Sequence, residues 1–268
     1  MTPLQDLKSI WKMYRYFRRE RFDMVQYTTP KGALLGSIAA WLARVPIRLY
    51  LLWGLYYMGS HGLRRKLLKS IEMLICRLST HVTFDGSGIQ RFAIEEGLVQ
   101  QRFCSIVGAG GDNGIDLSIY DPSLYQDVRN KMRRNLGIPK DGVVIGVNEL
   151  VSAYNEIATF HSESYLLLVG PEEEKDKPLP ETLVNIKNHP RIKSVGLQHD
   201  ILPFYAAMDI FCLPTYREGF SAVTLEAAAM NLPVVTTDAI GAGETIKNGV
   251  TGVVVTKAQV KPLRDALL

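Results

Sequence analysis

Cysteine is scarce in this 268-residue chain, and Cys76, Cys104 and Cys212 are widely spaced in or beside apolar runs. That spacing excludes a disulfide framework and a cysteine-rich metal centre, and it fits reduced core thiols in a cytoplasmic protein. Long apolar runs are missing too. None reaches the ~18–20 residues that span a bilayer; the nearest, IRLYLLWGLYYMG (Ile47–Gly59), is broken by Gly54. The N-terminal MTPLQDLKS lacks the basic start and apolar block of a secretory signal. There is no helix-turn-helix, zinc-finger or RNP-like pattern, so nucleic acid is not an expected partner. No solenoid period or low-complexity tract interrupts the chain. A soluble or peripheral protein is expected.

What is present is a globular composition, 47% hydrophobic, long enough for two modest cores. The net charge of +4 is unevenly spread. Residues 1–110 hold more than twice as many cations as anions, whereas residues 111–268 are net acidic. The basic half contains WKMYRYFRRERF (Trp11–Phe22) and HGLRRKLLKSIEMLICRL (His61–Leu78), where cations alternate with aromatic and aliphatic residues. Two such segments suit an anionic membrane surface, although each alone also reads as a helix with a solvated basic face.

Helical spacing covers Leu4–Arg21, followed by a strand FDMVQY (Phe22–Tyr27), a TTPKG turn and a small-residue helix Ala33–Val45. A strand from Ile47, a helix Leu63–Ser79, a strand His81–Phe84, a helix Ser87–Gly97 and a strand Phe103–Val107 complete this half. The glycine-rich break Gly108–Asp116 marks an expected boundary, giving domains 1–110 and 111–268. It does not open a helix, so it reads as a connection and not as a dinucleotide fingerprint. Beyond it come a helix Tyr125–Ile138 and a strand Val143–Gly146 running straight into a helix Asn148–Phe160. Strands Tyr165–Gly170 and Ile192–Gly196, a helix Ile201–Met208, a strand Asp209–Pro214, a helix Ser221–Met230 and a strand Pro233–Asp238 follow. Alternation of this kind predicts an α/β fold with two doubly wound, Rossmann-like parallel sheets.

The densest chemistry lies in EGFSAVTLEA, which places Glu218 and Glu226 eight positions apart across Gly219. An apolar strand ends just before it, and open α/β sheets bind ligands at strand carboxyl ends. Gly219 allows close backbone approach. The amides of Phe220, Ser221 and Ala222 open a helix and suit a phosphate. The competing reading makes Glu218 a helix-start acid and Glu226 a solvated residue. Leu225 and AAAM around Glu226 argue for a partnered carboxylate instead.

YREGFSAVTLEAAAMNLPVVTTDAIGAGETIKNGVTGVVV (Tyr216–Val255) resembles the donor-site signature of the group 1, or family 4, retaining glycosyltransferases. It carries the E-G-F and L-E-A glutamates, the P-V-V-T-T strand, the G-x-G-E turn and the N-G-x-T-G turn. YLLLVGPEE, VGLQHDILPFYAAMDIFCLP, AIEEGL and DMVQYTTPKGALLGSIAAWLARVP extend the resemblance over nearly the whole chain. It implies the two-domain GT-B fold, with the N-terminal domain incomplete. The family's opening strand and glycine-rich loop precede the first residue, and its closing helices would follow PLRDALL. A basic loop usual after the first donor-domain strand has no counterpart after Gly146.

The resemblance implies a nucleotide-sugar donor, read as a UDP-sugar, with Glu218 as the catalytic-site acid on sugar hydroxyls. Glu226 meets the ribose, and Gly219, Phe220 and Ser221 meet the diphosphate or sugar. Gln198 touches the base, while Thr28, Lys31 and Gly32 lie on the acceptor side. No metal site and no cofactor beyond the donor is expected. The acceptor is a glycan or lipid-linked sugar in surface polysaccharide synthesis, on the inner face of the membrane. Trp53 stands where many relatives have a histidine or arginine, so no catalytic histidine is assigned; His61, His81, His161, His189 and His199 read as surface or loop residues. Glu244 reads as a helix-start acid. The alternatives are a nucleotide-sugar-binding module of the same fold, catalytically impaired, and a sugar-nucleotide epimerase.

Overall fold

A computed structural model describes residues 3–111, 113–147, 151–171, 180–216 and 218–268. The chain divides into two compact units, Met1–Asp112 and Asn113–Leu268. The first contains α1 (Pro3–Glu20), β1 (Met24–Tyr27), α2 (Pro30–Leu42), β2 (Ile47–Leu52), α3 (Gly62–Leu78), β3 (His81–Phe84), α4 (Ser87–Glu95) and β4 (Cys104–Ile106). Its four strands are parallel in the order β1-β2-β3-β4. Winding in one direction puts α2, α3 and α4 on a single face, because βαβ crossovers are right-handed. The burial follows: Tyr27, Tyr50, Leu52, Val82 and Phe84 are buried, while Met24 and Ile47, paired in register, are about half exposed. Small residues let α2 pack closely, with Ala33, Gly36, Ser37, Ala39 and Ala40 buried between the sheet and its neighbours. Across α3, the Tyr50 hydroxyl donates to Glu72 Oε2 at 2.9 Å inside the core. Burial pushes the Glu72 carboxyl above its ordinary range, and pushes the Cys76 thiol up to about 12.

The second unit contains α5 (Gln126–Asn135), β5 (Val143–Val147), α6 (Val151–Phe160), β6 (Ser164–Leu168), α7 (Pro180–Asn188) and β7 (Ile192–Ser194). Then come α8 (Leu202–Ala207), β8 (Ile210–Leu213), α9 (Ala222–Ala229), β9 (Val234–Thr237), β10 (Gly252–Val255) and α10 (Val260–Leu267). All six strands are parallel, ordered β10-β9-β8-β5-β6-β7. The direction of winding reverses between β5 and β8, and ligands of open α/β sheets bind at the carboxyl ends flanking such a reversal. One core face gathers Tyr154, Ile157, Leu166, Cys212 and Leu263; the other gathers Leu167, Phe204, Tyr205, Phe211 and Ala227. All three cysteines are free and buried. The expected junction after Gly146 falls partly on residues 148–150, which lie outside the described residues.

Where β5 and β8 begin, they are joined by a charged knot. Asp209 Oδ2 accepts from the Val144 amide at 2.7 Å and from Arg133, and Oδ1 accepts from Arg129. Arg133 is 3% exposed and also donates to the carbonyls of Ala207, Lys140 and Gly142. Arg129 donates to the carbonyls of Ala206 and Met208. The two guanidiniums thereby satisfy the last carbonyls of α8, which have no intrahelical partner. Arg133→Ala leaves Asp209 half-paired and three carbonyls with a lost donor. The expected loss is about 3–5 kcal/mol, read from urea unfolding; a loss below about 1 kcal/mol would show that the knot contributes little.

Candidate functional site

The turn from β8 into α9 flanks the winding reversal and holds Glu218, and Glu226 follows within α9. Its two walls come from β9. Thr236 Oγ1 donates to the Leu213 carbonyl at 3.0 Å, and Thr237 Oγ1 donates to the Thr215 carbonyl at 2.6 Å. Thr224 on α9 donates to the Ser221 carbonyl at 2.8 Å and shares a 2.6 Å hydrogen bond with Thr245. The glycine that the structure holds at positive φ here is Gly241, φ 85°. A Cβ at Gly241 would lie 1.9 Å from the Gly219 carbonyl oxygen and 2.8 Å from that of Glu218. The loop after β9 therefore lies directly on the backbone of the E-G-F turn, and only glycine permits it.

Ser221 is the N-cap of α9, 2% exposed, and its side chain makes no capping bond. Its Oγ is buried without a hydrogen-bond partner. An orphaned hydroxyl costs about 1–3 kcal/mol, and here it stands beside first-turn amides that lack intrahelical acceptors. A phosphate oxygen would accept from both, and the helix dipole would favour its charge. Glu218, Gly219 and Phe220 are each partly buried on the same turn.

Glu226, in the second turn of α9, is partly buried and partnered. The Tyr205 hydroxyl donates to its Oε2 at 2.9 Å, with the Val223 carbonyl at 3.3 Å as a second acceptor. Tyr120 lies near the Glu226 carboxylate, whose charge adds to burial in raising the pKa of that phenol. Burial raises the pKa of both phenols, that of Tyr205 well beyond the ordinary range, so both remain neutral donors. The reading of Glu226 as a solvated helix residue therefore fails, and the partnered one holds.

Gln198 lies in the loop after β7, partly buried, and its Nε2 donates to the Val195 carbonyl at 2.6 Å. In the first unit, Thr28, Lys31 and Gly32 gather at the β1–α2 turn. Thr28 Oγ1 is a buried atom without a hydrogen-bond partner, and Lys31 pairs with Asp6 of α1 at 2.6 Å. A Cβ at Gly32 would meet Thr29 Oγ1 at 2.7 Å. Glu244 lies in a 3₁₀ turn, Ala242–Thr245, rather than at the start of an α-helix. One histidine corrects the surface-or-loop expectation: His81 opens β3 and bonds Ser105 Oγ at 2.8 Å; His189 lies in the loop after α7, partly buried, with its ring roughly perpendicular to that of Tyr154. Among the described residues no three His, Cys, Asp or Glu side chains gather as metal ligands. Tyr205, Tyr120 and Gly241 went unassigned in the sequence. The F-Y-A-A segment before Asp209 and the G-x-G-E turn were their only signals.

A family model described as glycosyl transferases group 1 matches residues 141–268. The capsular polysaccharide biosynthesis glycosyltransferase CapM of Staphylococcus aureus is 28% identical over 98% of this chain and 70% of its own length. An Escherichia coli protein named UDP-Gal:alpha-D-GlcNAc-diphosphoundecaprenol alpha-1,3-galactosyltransferase is 25% identical over 100% of this chain and 71% of its own length. Among solved structures, Anabaena Alr3699/HepE in complex with UDP aligns with a TM-score of 0.80 at 22% identity, over 96% of this chain and 70% of that one. That likeness establishes the fold, two parallel-sheet α/β units of the GT-B type.

The close approach at Gly241 is directly checkable. Gly241→Ala must move one backbone or the other, at a cost of about 1–3 kcal/mol. Amide chemical shifts in a ¹H–¹⁵N spectrum are expected to change at Gly219–Ser221 as well as around position 241. Changes confined to residues 238–245 would show that the E-G-F turn does not depend on this contact.

Proposed function

We propose that this chain, whose residues 141–268 match the family model of the group 1 glycosyl transferases, transfers a sugar from a UDP-sugar to a lipid-linked or glycan acceptor with retention. The observation that carries the reading is the buried, unpartnered Ser221 hydroxyl at the start of α9, between the two acids. The bond that breaks joins the anomeric carbon to a diphosphate oxygen, so charge develops on the leaving diphosphate. Preorganised donors aimed at that charge lower the barrier most. Ser221 Oγ, the amides of Phe220 and Ser221, and the α9 dipole supply them. Glu218, at the strand end, hydrogen-bonds sugar hydroxyls, and Glu226 accepts from the ribose diol. Gln198 takes the base side. Retention follows when the acceptor oxygen attacks from the face the diphosphate leaves, with a diphosphate oxygen taking its proton. No cofactor beyond the donor enters this scheme.

Support for the substrate class comes from the relatives, which include a second transferase named for a diphospho-undecaprenol acceptor, from Campylobacter jejuni, 25% identical over 100% of this chain. The first unit is suited to such an acceptor. Leu4, Leu7 and Trp11 of α1 are 79%, 63% and 58% exposed along one stripe, beside exposed Lys8 and Lys12. Leu63 and Leu67 of α3 are 84% and 63% exposed beside Arg64 and Lys66. Apolar stripes flanked by cations match an anionic bilayer surface on the cytoplasmic side, and no described helix is long and apolar enough to cross a membrane. Thr28, Lys31 and Gly32 are the acceptor-side candidates of this unit.

Two measurements test this reading. Release of UDP from a UDP-sugar panel in the presence of undecaprenyl-diphosphate-linked sugar is expected for the wild type. Glu218→Gln should cut that rate at least about 100-fold with UDP affinity by calorimetry little changed. UDP binding without release would favour the binding-module alternative, and unchanged turnover in Glu218→Gln would remove that acid from the site. Co-sedimentation with phosphatidylglycerol vesicles should be lost in a Leu7→Glu, Trp11→Glu double variant; equal binding by wild type and variant would place the lipid contact elsewhere.

A further inference from the structure

The carboxylate of Glu226 does not stand alone in its turn; it is aimed. Tyr205 is 2% exposed, its ring is set edge-on against Phe211 at 5.7 Å between centroids, and its hydroxyl reaches Oε2 at 2.9 Å. Tyr205 also sits in the last turn of α8, the carbonyls of which are gripped by Arg129 and Arg133. Its ring is therefore packed and its helix end anchored. Tyr120, in a loop earlier in the chain, stands near enough for the Glu226 charge to help raise its pKa, after burial. A carboxylate offers about four lone-pair directions. The Tyr205 phenol fills one of them and leaves others for incoming hydroxyl donors.

We propose that Tyr205 is a positioning residue for Glu226, and that it sets the preference of the donor site for a ribose over a deoxyribose nucleotide. The inference rests on the donor-site reading above, in which Glu226 meets the ribose. A rotatable glutamate would accept from a single hydroxyl nearly as well as from two, because it can turn to follow either. A glutamate held by a rigid phenol presents its remaining lone pairs in one direction, which a vicinal diol can match with both hydroxyls at once. Discrimination then comes from preorganisation, since a nucleotide lacking one hydroxyl leaves a held acceptor unfilled. Tyr205 touches no reacting atom in this scheme and acts only through Glu226.

Tyr205→Phe removes the hydroxyl and keeps the ring in its packing. The reverse deletion is also tolerable: in Glu226→Ala the Tyr205 hydroxyl has the Val223 carbonyl as an alternative acceptor at 3.3 Å. Calorimetry with UDP and with 2′-deoxy-UDP on wild type, Tyr205→Phe, Glu226→Ala and the double variant separates the possibilities. Glu226→Ala is expected to weaken UDP binding. Tyr205→Phe should weaken it up to about tenfold, as for one lost hydrogen bond, with a much smaller loss for 2′-deoxy-UDP. In transfer assays the donor KM should rise with kcat nearly unchanged. The Tyr205→Phe effect should vanish in the Glu226→Ala background. An equal loss in both backgrounds, or for both nucleotides, would make Tyr205 a packing residue and overturn the proposal. So would weakened UDP binding in Glu226→Ala with none in Tyr205→Phe, which leaves the donor-site reading standing. Unaltered UDP binding in Glu226→Ala would overturn both together.

Discussion

The functional end of the second unit depends on an ion cluster at the opposite end of its sheet. Asp209 precedes β8, and its carboxylate joins the Val144 amide of β5 to Arg129 and Arg133 of α5. Strands β5 and β8 are the pair where winding reverses, so no short crossover connects them. Their mutual register depends on the ladder and on this knot. The Arg133 side chain is 4% exposed, against 31% for Asp209 and 30% for Arg129, and burying that guanidinium is costly unless it is satisfied. Here the two guanidiniums find five carbonyls besides the carboxylate, which is the planar-fork geometry that lysine lacks. The same bonds finish α8, a helix of only six residues that could not hold its own carboxyl end.

Much of this architecture was legible in the sequence because strand and helix periods alternate cleanly and the apolar strands are short. DIFCLP could only be an interior strand, and EGF after it could only be a carboxyl-end turn, so the location of Glu218 followed from topology alone. Edges of elements were less legible. The chain leaves β6 at Leu168, two residues before the expected end at Gly170, where φ is 145°. The helix Pro180–Asn188 and the strand Gly252–Val255 carried too few periodic residues to stand out. Within the site, the sequence pointed to Gly219 for the approach of a ligand, but it gave no sign that Gly241, 22 positions later, lies against the Gly219 backbone. A contact between two loops leaves no periodic trace, and the same holds for Tyr205 against Glu226. Tyr205 is spaced like any core aromatic of an amphipathic helix, and its hydroxyl is significant only because α9 packs where it does.

The first unit shows how polar groups can serve a core without forming a site. Tyr50 and Glu72 bond one another inside it, and Tyr27 bonds Ser79 at 2.7 Å. Arg48 ties Leu78 and Val45 carbonyls on either side of β2. Each group has a neighbour from another element, so these bonds fix the packing of α3 on the sheet. The raised pKa of Glu72 arises from burial and not from a reacting neighbour. A perturbed carboxyl is therefore not by itself a marker of chemistry in this protein. The partner-rich but accessible Glu226 is the more informative acid.

The two glutamates of the second unit are held by separate supports, and that separation is what the eight-residue spacing accomplishes. Glu218 belongs to the turn, which β9 fastens through Thr236, Thr237 and the loop at Gly241. Glu226 belongs to the helix, and its carboxylate is steered from α8 through Tyr205. Ser221, the cap between them, is where the two supports meet, through Thr224 and Thr245. Residues that share no partners contribute nearly additively, whereas those in one hydrogen-bonded chain do not. A ligand with two unlike polar ends can then be gripped at each end by an acid whose position does not depend on the other. The start of α9 lies between them, with the hydroxyl of its N-cap residue Ser221 buried and unpartnered. That division lets the turn around Glu218 change without loosening Glu226, which α8 ties back to Asp209 through Arg129 and Arg133.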